Sequence, residues 1–239
     1  MSGPKIAALY GLKPHTLGLC GPKEALRQQT LRKFLLGHVS VNKIEKILKQ
    51  FKGAYPYYKL IAKSNKIKNP FDQKVIKAYW IGNKLLDKVK IGDLRQMIIK
   101  EFSGPGLLPK KIAIQKAVAI PENSKPHHSF HVLFIGSVTG SINFKSIVLK
   151  DLCRIGWGKV EKCAKGKILI TTSPLIEKKG IQLGKPVPKE MLWNQELLPK
   201  VKIGDWISFH WGQTVEVLTS EEIAALKKYT KLTLKLLSP

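Results

Sequence analysis

The chain has 239 residues, 44% of them hydrophobic, enough to build one large core or two small ones and too apolar for a disordered chain. No apolar run approaches the roughly 20 residues that cross a bilayer as a helix. The start, MSGPKIAALYGLKPH, has too short an apolar stretch and no small-residue cleavage site for a secretory signal, so a cytoplasmic protein without membrane insertion is expected. The formal charge of +26 attracts polyanions, but the lysines are spread in pairs such as Lys110-Lys111 and Lys178-Lys179, which implies weak nucleic-acid association and not a concentrated basic tract.

The first half carries helical periodicity. In PKEALRQQTLRKFLLGH, Leu26, Leu31, Phe34 and Leu35 recur near helical spacing, and Pro22 suits a first helical position. VNKIEKILKQF places Ile44, Ile47, Leu48 and Phe51 on one stripe with lysines opposite. YPYYKLIAKSN follows, and then NPFDQKVIKAYWIGNKLLDKV is predicted to open with Asn69 as N-cap and Pro70 at the first helical position, which puts Asn83 inside a helix. IGDLRQMIIKEF ends at the breaker SGPG, and KKIAIQKAVAI is a last helix.

The pattern changes after Pro121. SFHVLFIGSV reads as an apolar strand, and WGKVEKC, KILITTSPLI, DWISFHWG and TVEVL as short strands separated by Lys-Gly, Gly-Asp and proline turns. TSEEIAALKKYTKLTLKLL is a closing helix with Thr219 or Ser220 as cap and Glu221 and Glu222 in its first turn. The expectation is an α+β protein: a helical domain over residues 1–121, then a small OB-like β-barrel with a C-terminal helix over 122–239.

Cys20, Cys153 and Cys163 are odd in number and match no C-x-x-C zinc pattern, so chemistry would rest on single thiols helped by histidines. Cys153 stands just before the first barrel strand and His210 near the end of DWISFHWG. Either is also an ordinary core residue in isolation. Cys20, in the Gly-Pro-rich turn of KPHTLGLCGPKE, either gains thiolate character from a following helix or packs beneath it. In PHHSFH, a His-x-x-His or a His pair can complete a metal site with Cys153, His131 being the favoured member, or the segment is a polar linker with exposed histidines. On a strand, His128 and His131 would face opposite sides, so both bind one metal only if the strand starts between them. Phosphate loops, H-E-x-x-H, G-x-S-x-G and paired-acid motifs are absent from the sequence.

Cys153 is followed, after four residues, by Gly158-Lys159-Val160, and KIGDWISFHWG places Gly204, Asp205, His210 and Gly212 in a second pattern; LTSEEIAALKKYTKLTL closes the chain. In order and spacing, Leu152 to Leu234 resembles the HypC family of NiFe-hydrogenase maturation chaperones, whose members begin Met-Cys. The full chain, with LGLCGP, YWIGN and this barrel, resembles an uncharacterised prokaryotic family. The HypC resemblance implies a metallochaperone more readily than an enzyme. Cys153 and His210 would hold an iron carrying cyanide and carbon monoxide, a cofactor set in which Cys20 and Trp157 are further candidate contacts. Hydrogenase maturation proteins or the hydrogenase large-subunit precursor would be the partners. The chain departs from that family in having Cys153 internal and Trp157 in place of a proline. Two alternatives stand beside it: an iron-dependent enzyme that makes or transfers a diatomic ligand, and a basic OB-like nucleic-acid-binding protein.

Overall fold

A computed structural model describes residues 1–22 and 25–237, without the side chains of 25–28. The cap region around Pro22 and the side chain of Leu26 therefore bear on residues outside this description.

Helix α1 (Gly3–Thr16) is the centre of the helical part. Nearly every residue from Gly3 to His15 is buried, so the helix has no polar face to expose. Around it lie α2 (Ala25–Leu35), α3 (Val41–Leu48) and α5 (Gln73–Trp80), with α4 (Tyr55–Ser64) packed on α5. The stripe expected on α3 is seen: Ile44, Ile47, Leu48 and the following Phe51 are all buried. The start of α5 corrects the sequence expectation. Asn69 accepts from the Phe71 backbone in a local turn, and Asp72 is the true cap, accepting from Lys74 N–H at 2.8 Å. Asn83 is likewise not inside a helix. It caps the 3₁₀ turn Lys84–Lys88 by accepting from Leu85 N–H, and its amide donates back to the Lys74 carbonyl. Helices α6 (Ile91–Glu101) and α7 (Lys110–Ala119) pack on each other.

The segment read as the strand SFHVLFIGSV is helical. It forms α8 (His128–Phe130), which runs directly into a π turn, His131–Ile135, closed by Gly136 N–H donating to the His131 carbonyl at 2.7 Å. The segment is buried, not a surface linker: His127, His128, Ser129 and Phe130 all lie inside. Helix α9 (Ile147–Cys153) then delivers the chain to the sheet.

Strands β1 (Gly156–Ala164), β2 (Lys167–Thr172), β5 (Val187–Leu192), β6 (Trp206–His210) and β7 (Gln213–Val217) curl into a barrel in the order β1-β2-β5-β7-β6. β1 also pairs with β6, with Gly156 opposite Phe209. The seam between β5 and β7 is a single parallel pair, Leu192 with Gln213, so the barrel is only partly laced there, as in five-stranded Greek-key barrels of the OB type. A separate hairpin, β3 (Leu175–Lys178) with β4 (Gly180–Leu183), lies beside α9 and α10 (Ser220–Leu237). Thr219 and Glu222 cap α10 reciprocally: the Thr219 hydroxyl accepts from Glu222 N–H, and the Glu222 carboxylate accepts from Thr219 N–H.

The glycines of β1 have steric reasons. A Cβ at Gly156 would lie 2.2 Å from the Phe209 ring, and one at Gly158 would lie 2.5 Å from Ile170 Cδ1. The helical part and the barrel share buried core: Ile155, Trp157, Val215 and Tyr229 pack in one cluster with Ile6, Tyr10 and Trp80. Tyr10 joins the two directly. Its hydroxyl meets Ser208 Oγ at 2.8 Å, and its carbonyl accepts from His210 Nδ1 at 2.7 Å. Among the described residues, no helix is long and apolar enough to cross a membrane.

Candidate metal centre

Three elements far apart in the chain converge where the helical part meets the barrel. Cys153 is the last residue of α9, His128 the first of α8, and His210 the last of β6. Each offers one ligand atom, and these atoms all lie within 4.8 Å of one another. All three residues are buried. Among the described residues they form the one group of three such side chains close enough to hold a metal ion.

The local backbone aims these side chains. His210 and Gln213 pair across a two-residue hairpin made by Trp211 and Gly212, both at positive φ (51° and 74°). That geometry is a type I′ turn, which favours Asn-Gly. A tryptophan in the left-handed region is strained, and such strain is retained where the surroundings over-determine it. Here Trp211 N–H donates to the Leu152 carbonyl at 2.9 Å, tying the hairpin to the end of α9 and so His210 to Cys153. The His210 ring donates from Nδ1 to Tyr10, which leaves Nε2 as the lone-pair atom, buried and without a hydrogen-bond partner. A carbonyl fixing one ring nitrogen while the other is free is the arrangement of a metal-ligating histidine. Nδ1 of His128 is also buried without a partner. The His128 ring lies between Trp80, 4.6 Å away by centroid, and His210, 5.2 Å away.

Burial sets the electrostatics. It pushes the His210 pKa down to about 4, against a partial rise from the Tyr10 and Cys153 backbones, and drives His128 well below the usual range, with neighbouring histidines adding to the fall. Both are neutral imidazoles near pH 7, the form that binds metals. Burial also raises the Cys153 thiol far above its ordinary value, with Cys20 adding to the rise. Without a cation Cys153 is a protonated thiol; a coordinated cation reverses this and releases the proton. Two neutral imidazoles and a soft thiolate suit a thiophilic transition metal such as iron, copper or zinc, and are a poor match for magnesium or calcium.

The centre opens onto a cavity of about 120 Å³, well above the 10–15 Å³ that one water needs. Cys20, Gly53, Tyr79, Trp80, His131 and Trp211 are among its walls. Three protein donors beside a cavity are the pattern of a metal site with an open position.

The sequence-predicted residues are placed as follows. Cys153 and His210 come together, and Cys20 faces the same cavity, outside the three-donor group. Burial outweighs any helix-dipole effect at Cys20 and pushes its thiol up to about 12, so it is no free thiolate. His131 lines the cavity but is not in the three-donor group; its Nδ1 meets the Tyr57 hydroxyl at 3.2 Å. Trp157 is buried with its ring under the Arg154 guanidinium, at 5.3 Å, and its carbonyl accepts from Thr172; it is not among the cavity walls. His128, which the sequence offers only as the other half of a His-x-x-His pair with His131, is the member of that pair that joins the group. The available signal was the spacing His128-x-x-His131, which puts both side chains on one face of a helix and on opposite faces of a strand.

Fold and centre together define an α+β protein with a buried His₂Cys cluster between a helical part and a partly laced barrel. The chain belongs to a family described as a family of unknown function (DUF6390), whose model matches residues 1–239. No curated protein and no solved structure matches it.

Proposed function

We propose that this chain is a metal-binding accessory protein that holds an iron species through Cys153, His210 and His128, in the role of a carrier in NiFe-hydrogenase maturation. One observation carries the reading. The two residues singled out by the HypC resemblance, distant in sequence, have ligand atoms within 4.8 Å of each other and of a third soft donor. A thiolate and two imidazoles suit a low-spin iron that also carries strong-field ligands, and the adjoining cavity gives such ligands space. The partners in this reading are hydrogenase maturation proteins or the large-subunit precursor.

The cavity also favours a second reading, an iron-dependent enzyme that makes or transfers a diatomic ligand, because a buried centre with an open position suits a resident metal as well as a carried one. Metal analysis with infrared spectroscopy on anaerobically purified protein tests both. Stoichiometric iron with bands of bound cyanide or carbon monoxide supports the carrier. Stoichiometric iron with no such bands favours the enzyme, and absence of iron from protein made in iron-replete cells contradicts both.

A further inference from the structure

We infer that the open position of this centre takes a small inorganic monoanion, and that His131 holds that anion by a hydrogen bond from Nε2. The inference rests on the metal reading above and goes beyond it in naming the ligand class and the residue that selects it. Charge is the first argument. A divalent ion bound by Cys153 thiolate and two neutral imidazoles keeps a net positive charge in a buried place. Among the described residues no carboxylate lines the cavity. An uncompensated charge inside a protein is costly, so one further anion completes the centre. Lys52, exposed and at the cavity wall, supplies a cation on the approach.

The second argument is the setting of His131. It follows His128 on the same helical face, and their ring centroids are 6.3 Å apart, a gap that a small metal-bound ion bridges. The Tyr57 hydroxyl occupies Nδ1; with Tyr57 donating there, the ring proton sits on Nε2. Gly53 keeps that nitrogen uncovered. A Cβ at Gly53 would stand 2.9 Å from His131 Nε2, and the three nearest atoms it would meet belong to the His131 ring. Gly53 does not need positive φ, so its lack of a side chain is explained by what it leaves open. Both residues face the cavity. His131 is thus a positioning residue for the anion and not a ligand of the metal.

The test uses the full chain loaded with cobalt(II) and titrated with azide, read by the visible spectrum. Wild type is expected to show a saturable spectral change. His131→Phe removes the donor, and Gly53→Ala covers it; each is expected to weaken azide binding at least tenfold while leaving the azide-free cobalt spectrum unchanged. Gly53→Ala keeps the test available if the larger change fails to fold. Cobalt bound with no azide response overturns the anion proposal alone, as does azide affinity equal to wild type in the folded variants. An azide-free spectrum altered in His131→Phe makes His131 a ligand and also overturns it. Failure to bind cobalt overturns the metal reading beneath.

Discussion

Cys153→Ala separates a metal ligand from a packing residue by the ratio of two effects. The side chain is 7% exposed and packs with Val132, Leu133, Leu175, Trp211 and Leu234, so removing its sulfur leaves a small cavity. That costs on the order of 1 to 2 kcal/mol, which for a chain of this size lowers Tm by roughly 2 to 8 °C. The metal loses much more. Outer partners of ligands alone are worth about 10- to 100-fold in affinity, so loss of the one thiolate should exceed about 100-fold, or more than about 2.7 kcal/mol. Cobalt(II) titration, followed by its thiolate charge-transfer band, and thermal melts of the metal-free proteins measure both effects. His210→Ala is expected to weaken binding less, because imidazole brings no charge to the ion. Cobalt affinity within about tenfold of wild type in Cys153→Ala would refute the reasoning and leave the cysteine as packing.

Metal-free protein should lose stability in acid well above the carboxylate range. Burial holds His127 and His210 at about 4 and His131 at about 3 against an ordinary 6.5, so the unfolded chain binds more protons as pH falls below 6.5. Stability is complete above about pH 6.5, and full titration removes about 3 kcal/mol for each of His127 and His210 and about 5 kcal/mol for His131; denaturant midpoints that stay flat between pH 7 and 4.5 would contradict this. Lys77→Met strips Glu216, 5% exposed, and Glu222 of a shared ammonium 2.8 Å from each, and should cost about 3 to 5 kcal/mol; adding Glu216→Gln should recover part of it in the same melts. Burial alone would lower the Lys77 pKa, but the two carboxylates hold it above the ordinary value, so this contribution is present up to about pH 10 and fades above. Gly156→Ala drives a methyl into the Phe209 ring and should cost at least about 1 to 3 kcal/mol, read as a lowered denaturant midpoint.

The legible parts of the fold are those with a period. The α3 stripe, the alternating β2 and the capped α10 each have one buried and one solvated side, whereas β1, β6 and β7, the last two buried almost throughout, are legible as short β-rich apolar runs between turns. Helix α1 was missed because it is buried on every side, so its sequence has no stripe. Strand β5 was missed for the opposite reason: only Met191 is buried in it, so its alternation is absent. Of the site, Cys153 and His210 were visible through motif spacing, whereas a strand reading of an apolar run set His128 behind His131. The helical and strand readings of such a run differ only in which histidines share a face, and the sequence of that segment has no breaker to decide between them. The strained Trp211 that aims His210 leaves no trace in sequence at all.

The central claim is a metal held by one sulfur and two imidazoles, and X-ray absorption at the metal edge of the anaerobically purified protein tests it most directly. The expected result is a stoichiometric thiophilic metal with one sulfur scatterer at about 2.3 Å and imidazole nitrogens at about 2.0 to 2.1 Å, taking zinc-site distances as the guide. The sulfur shell is expected to disappear in Cys153→Ala. A metal ligated by oxygen and nitrogen alone, or a sulfur shell that survives in that variant, would contradict the claim.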